Sequence, residues 1–107
     1  MDIEELLKLL KDELLLVLGE SYGDFKKETK ADVEVFLTLS KVKIERWTKL
    51  LQAGELTVDD YKWLLESQKD VLILNALYQA GVSKLRLGHL KNKIIKTIVN
   101  TVITVVI

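Results

Sequence analysis

Residues 92–107 read NKIIKTIVNTVITVVI, and whether this stretch is helix or strand decides the fold class. Of the fourteen residues from Ile94 to Ile107, twelve are Ile, Val or Thr, types whose branched Cβ favours extended backbone. Their order argues the other way. When the window is carried back to Lys84, the residues Leu87, Leu90, Ile94, Ile95, Ile98, Val99, Val102, Val105 and Val106 fall within about half the circumference of a helix. Arg86, His89, Lys93, Lys96, Asn100 and Thr104 fall on the opposite side. Apolar doublets recurring every four positions follow a helical period, whereas a half-buried strand needs strict alternation. The pattern predicts a fourth helix over 84–107, one that folds poorly alone and needs a surface to fold on.

Working back from that ending, the remaining chain reads as helix throughout. Its 107 residues contain no proline and five glycines, which favours long helices over a turn-rich β fold. The first helix is expected over 2–18, with Asp2 as N-cap and Ile3, Leu6, Leu7, Leu10, Leu14 and Val17 at helical spacing. A glycine-flanked hinge comes next, over 19–24. The second helix is expected over 25–53, starting at Asp24 or, with Thr29 as its cap, a turn later. Its apolar residues form two stripes, Val33, Phe36, Leu37, Ile44, Trp47 and Leu51 beside Val35, Leu39, Val42, Leu50 and Ala53. Together they span an arc of about 220°, wide for a helix at the edge of a small bundle.

The stretch LLQAGELTVDDYKWLL, residues 50–65, marks a tight αα-hairpin. Gly54 suits the left-handed position that ends a helix, and Thr57 with Asp60 three residues on suits the start of the next. The third helix is then expected over 57–80. Its second half, VLILNALYQA, is apolar almost all round, as in a helix at a bundle centre or an interface. Gln68, Asn75 and Gln79 share one face of that helix, either as a narrow solvent strip or as amides that fix register between copies. Trp63 falls off the main stripe and is expected to face another helix, from this chain or a second one.

These readings give a single all-α domain over 1–107, a helical bundle of about four helices with a central αα-hairpin. They also suggest more apolar helical surface than one copy covers, so the bundle is expected to be completed by self-association. Trp63, Leu74, Leu77, Ile94, Ile98, Val102 and Val106 are the expected interface residues. The function expected on this basis is a non-enzymatic structural or assembly role, with the chain itself as partner.

Charge suggests a second possibility. Residues 1–70 hold all sixteen acids and eleven bases, while residues 71–107 hold five bases and no acid. With Arg86, Lys93 and Lys96 on one face and aliphatics on the other, the last helix fits the profile of a helix lying on a membrane surface. A third reading is an adaptor whose groove between the second and third helices receives a helix from another protein. Nucleic acid is not expected as a partner, because the pI is near neutral and the basic segment lacks aromatics for base stacking. The absence of cysteine favours a reducing compartment, and the acidic opening MDIEELLKLLKDELL is unlike a signal peptide. A cytoplasmic location, with peripheral membrane attachment as the alternative, is therefore expected.

Motifs for chemistry are lacking. Ser21, Ser40, Ser67 and Ser83 have no nucleophile-elbow context, and the single histidine, His89, sits among cationic neighbours. Adjacent acid pairs such as Asp59 and Asp60 point about 100° apart on a helix. No catalytic, metal or cofactor site is expected.

Overall fold

Leucines at four-residue spacing set the first helix. Leu6, Leu10, Leu14 and Leu18 form one buried line along α1 (Ile3–Gly19), whose N-cap Asp2 accepts a hydrogen bond from the Glu4 amide. The computed structural model describes residues 2–20, 22–70 and 72–106, so Ser21 in the expected hinge and Ile107 at the expected end of the last helix lie outside the described residues. Helix α2 (Lys26–Gln52) returns antiparallel to α1. Its direction shows in two surface ion pairs: Lys11 Nζ lies 2.7 Å from Glu34 Oε1, and Lys41 pairs with Glu4. The Lys11 hydrogen bond holds the Glu34 carboxyl below the ordinary carboxylate range. Thr29, expected as an alternative cap, instead lies inside α2 on its buried face, and α2 starts behind Phe25 without a side-chain cap.

Between these helices the chain makes a short 3₁₀ turn at Gly23–Phe25. Just before it, Tyr22 is buried and donates a hydrogen bond of 3.2 Å to the Arg86 carbonyl oxygen. Its ring also lies 5.0 Å from the Arg86 guanidinium carbon, a cation–π contact. The loop is thereby fastened to the first turn of α5 (Lys84–Val106).

The α2–α3 turn carries the caps that its sequence suggests. Gly54 has φ +76°, and the Glu55 and Gly54 amides bond back to the Leu50 and Leu51 carbonyls, a Schellman closure. Helix α3 (Val58–Glu66) opens with a reciprocal capping box, the Asp60 amide donating to the Thr57 hydroxyl and the Thr57 amide to the Asp60 carboxylate. Across the hairpin, Tyr61 is fully buried and its hydroxyl shares a 3.1 Å hydrogen bond with Thr48.

The third helix expected over 57–80 is two helices. After α3 the chain tightens into a 3₁₀ turn at Ser67–Asp70 and then runs non-helically through Leu72–Leu74. It resumes as the short α4 (Asn75–Gln79). The physical reason lies in the apolar pattern. In a continuous helix Leu72 and Leu74 would point about 200° apart, so one core could not hold both. Non-helical backbone is not bound to the helical step of about 100° per residue, and here Leu72 and Leu74 are buried while Ile73 between them is exposed. The all-round apolarity of VLILNALYQA thus reflects a change of backbone, with Leu72, Leu74 and Leu77 all turned into the same interior.

Unwinding exposes backbone donors that need partners. Asp32, buried on α2, supplies them: its Oδ1 accepts from the Ala76 amide at 3.0 Å and its Oδ2 from the Leu77 amide at 2.9 Å. A second Schellman closure, at Gly81 with φ +97°, ends α4 and turns the chain into α5.

Helix α5 is the branched-aliphatic ending, and its inward face is Leu87, Leu90, Ile94, Ile95, Ile98, Val99 and Val102. It packs on α1 and α3 and touches α2 and α4. Among the described residues there are five α-helices and no strand.

Replacing Asp32 with Ala is expected to cost about 3 kcal/mol in urea unfolding, because two charge-assisted hydrogen bonds vanish and two amides lose their acceptor. Asp32→Asn, which keeps one acceptor oxygen, should lose about half of that, with hydrogen exchange of residues 75–79 accelerated in both. Burial pushes the Tyr61 phenol up to about 12, although the Thr48 hydrogen bond pulls the other way. Above its ordinary value of about 10 the unfolded chain releases this proton while the folded chain keeps it, so stability present below pH ~10 is lost as pH rises to ~12, by about 2 to 3 kcal/mol. Tyr61→Phe should lack this alkaline component when unfolding free energy is measured across that range.

Candidate interaction surface

The wide apolar arc of α2 resolves into an inner and an outer stripe. Val33, Phe36, Leu37, Ile44 and Leu51 are buried and Trp47 packs against the core from a half-buried position. On the second stripe Val35 is 53 %, Leu39 64 % and Val42 68 % exposed, at positions i, i+4 and i+7 of one helix face. Glu28 stands at the N-terminal end of this outer line and Arg46 at its C-terminal end. Neither has an ion-pair partner among the described residues.

The unwound segment borders this stripe. Lys43 Nζ reaches Gln68 Oε1 at 3.5 Å and Asp32 holds Ala76 and Leu77, so residues 72–77 lead back along α2 from the level of Lys43 to that of Asp32. Leu39 lies within about 40° of that line on the α2 surface. Ile73, 67 % exposed, lies in sequence between those two anchor points.

Most of the interface residues expected from sequence are elsewhere. Leu74, Leu77, Ile94, Ile98 and Val102 are buried within the single chain, where a second copy could reach them only by opening the fold. Val106 is half-buried against the core, and Trp63 is exposed on α3. The three amides do not share a face: Gln68 is buried in the 3₁₀ turn, while Asn75 and Gln79 are exposed on α4, because the unwinding between them breaks the helical register. Of the basic residues, Arg86 is engaged with Tyr22, Lys93 is half-buried and Lys96 lines a groove between α3 and α5.

That groove, of about 560 Å³, has Ile95, Val99 and Ile103 on its floor and charges of both signs, Asp59, Glu66, Lys62, Lys69 and Lys96, on its walls. A cleft at the α1–α2 junction, lined by Leu15, Tyr22 and Thr29 with Lys26 and Lys30, holds about 210 Å³, less than the ~300 Å³ at which small-molecule sites begin. Among the described residues no three His, Cys, Asp or Glu side chains converge as metal ligands. The surface that sequence reasoning missed is thus the outer stripe of α2. Its signal was present in Val35, Leu39 and Val42, but the merged arc did not say which stripe faces inward.

Compared with protein-family models, curated proteins and solved structures, the chain matches none. The division between core and surface can be tested by truncating one side chain from each. Leu39→Ala is expected to change unfolding free energy by less than about 0.5 kcal/mol. Ile98→Ala should cost about 3 kcal/mol, the usual range for a buried aliphatic.

Proposed function

We propose that this chain is a non-enzymatic assembly subunit that works by helix–helix packing between copies, with the outward face of α2 as the contact. The observation that carries this reading is the row Val35, Leu39 and Val42, all more than half exposed at helical spacing on the longest helix, whereas the strongly exposed apolar side chains of the other helices, Leu16, Trp63, Tyr78 and Leu85, stand singly. An aliphatic line at helical spacing is the form a helix presents to another helix. Its position supports the same reading. Helix α2 has 27 residues in a molecule 42 Å long, so the stripe lies along the body of the molecule, where a second helix can lie beside it.

A bilayer fits this surface less well. The aliphatic face of α5, the natural candidate for a membrane, is buried against α1 and α3. Among the described residues no helix is long and apolar enough to cross a membrane. An adaptor function would use the same α2 stripe for a foreign helix, and the chain would then stay single on its own.

Light scattering across a concentration series separates these possibilities. Self-association is expected to raise the mass from 12.2 kDa toward twice that value. Leu39→Asp should hold the chain at the single-copy mass while leaving its helical circular dichroism unchanged. A wild-type chain that stays at the single-copy mass up to high concentration overturns the assembly reading.

A further inference from the structure

The outer stripe of α2 carries a charge order that specifies how a second copy would lie on it. From N- to C-terminus it reads Glu28, Val35, Leu39, Val42, Arg46, with acid at one end, base at the other and aliphatics between. Glu28 is half-buried and Arg46 exposed, and neither is ion-paired among the described residues. Of the other charges beside the stripe, Glu34 pairs with Lys11, Lys49 with Glu45, and Lys43 leans on Gln68, while Lys27 is exposed next to Glu28.

We infer that two copies pack through α2 antiparallel, about a two-fold axis at the level of Leu37, with Glu28 of each copy opposite Arg46 of the other. This rests on the assembly reading above and adds its geometry. The level midway between Glu28 and Arg46 is also midway between Val35 and Leu39. One axis therefore places each Val35 against the other copy's Leu39 and, at the same time, each acid against a base. Val42 then falls at the level of the other copy's residue 32, where Asp32 is turned inward and the small Ala31 is the exposed neighbour. A parallel arrangement would set Glu28 against Glu28 and Arg46 against Arg46. The interface is isologous, so each favourable ion pair occurs twice.

The charges also set the crossing angle. Glu28 and Arg46 are about 27 Å apart along α2, so each lies about 13 Å from the axis. At a crossing of about 20° the helices separate by only about 5 Å at those ends, within reach of the two long side chains. At about 50° they separate by about 11 Å and the pairs are lost. The shallow, coiled-coil-like crossing is the one that keeps both pairs.

Sedimentation equilibrium on the full chain tests this with Glu28→Arg, Arg46→Glu and the double variant, circular dichroism serving as the check on folding. Each single reversal is expected to weaken self-association about tenfold, since it turns two attractions into two repulsions. The double variant should return to within about threefold of wild type. An equimolar mixture of the two single variants should recover as well, through a heterodimer in which both pairs are attractive. Single variants that associate as tightly as wild type, or a double variant as weak as the singles combined, overturn the antiparallel register. In that case loss of association in Leu39→Asp still upholds the assembly reading. A wild-type chain that never exceeds the single-copy mass overturns both.

Discussion

The arrangement of this chain depends on one carboxylate. Asp32 is buried on α2, and both its oxygens accept amides at the start of α4, from residues 44 and 45 positions further along. Without that capture the segment after α3 would have two poor options. A continued helix would satisfy its amides but point Leu74 and Leu77 away from the core that holds Leu72. An unwound segment would bury those leucines but leave the Ala76 and Leu77 amides without an acceptor. Asp32 removes the second difficulty, so the chain bends, buries all three leucines and turns through Gly81 into α5.

Helix α5 in turn depends on the helices before it. A helix rich in Ile, Val and Thr loses side-chain rotamer freedom and has little intrinsic stability. Its seven inward residues gain their burial from α1 and α3, which must already be in place. Burying an aliphatic side chain is worth about 1.5 to 3 kcal/mol, whereas helix propensity differs by tenths of a kcal/mol per residue, so packing decides the conformation. The Tyr22 contact with Arg86 joins the α1–α2 loop to the first turn of the same helix, whose start is capped by the Ser83 hydroxyl accepting from the Arg86 amide. Among the described residues, the buried hydroxyls of Thr29 and Ser40 lack a hydrogen-bond partner on the α2 face that closes this interior, and each costs about 1 to 3 kcal/mol that the surrounding apolar burial offsets.

Legibility in the sequence tracked the range of the determining interaction. The αα-hairpin could be read because Gly54, Thr57 and Asp60 act on backbone within a few residues of themselves. The helical state of 84–106 could be read because a long amphipathic period outweighs β propensity when a surface is available. The break at 67–74 could not, since no glycine or proline marks it and its decisive partner is Asp32, far back in the chain. Missing the break carries over to the interface. A straight third helix implies more apolar surface than one copy can cover, and that surplus turns Leu74, Leu77, Ile94, Ile98 and Val102 outward on paper. The stripe of Val35, Leu39 and Val42 was visible, but side-chain period alone gives two apolar lines on α2 without saying which one the rest of the chain covers.

This placement changes the kind of association to expect. Had the aliphatics of α5 formed the contact, one copy would have lacked a core, and folding and assembly would have been a single event. With 23 apolar residues buried among the described residues of one chain, the core is closed without a second copy. The proposed contact through α2 would then add to a fold that already exists, with the apolar line supplying attraction and Glu28 and Arg46 supplying direction. Three aliphatics form a modest core for an interface, below the ~1,000 Å² of total buried area typical of stable complexes unless flanking side chains join in. Such a contact favours exchange between single and paired chains, with stability shared by mass action instead of built into the fold. In the proposed dimer the charges would matter more than in a permanent one, because with little apolar area to fix orientation, two ion pairs per interface would favour one direction over the other.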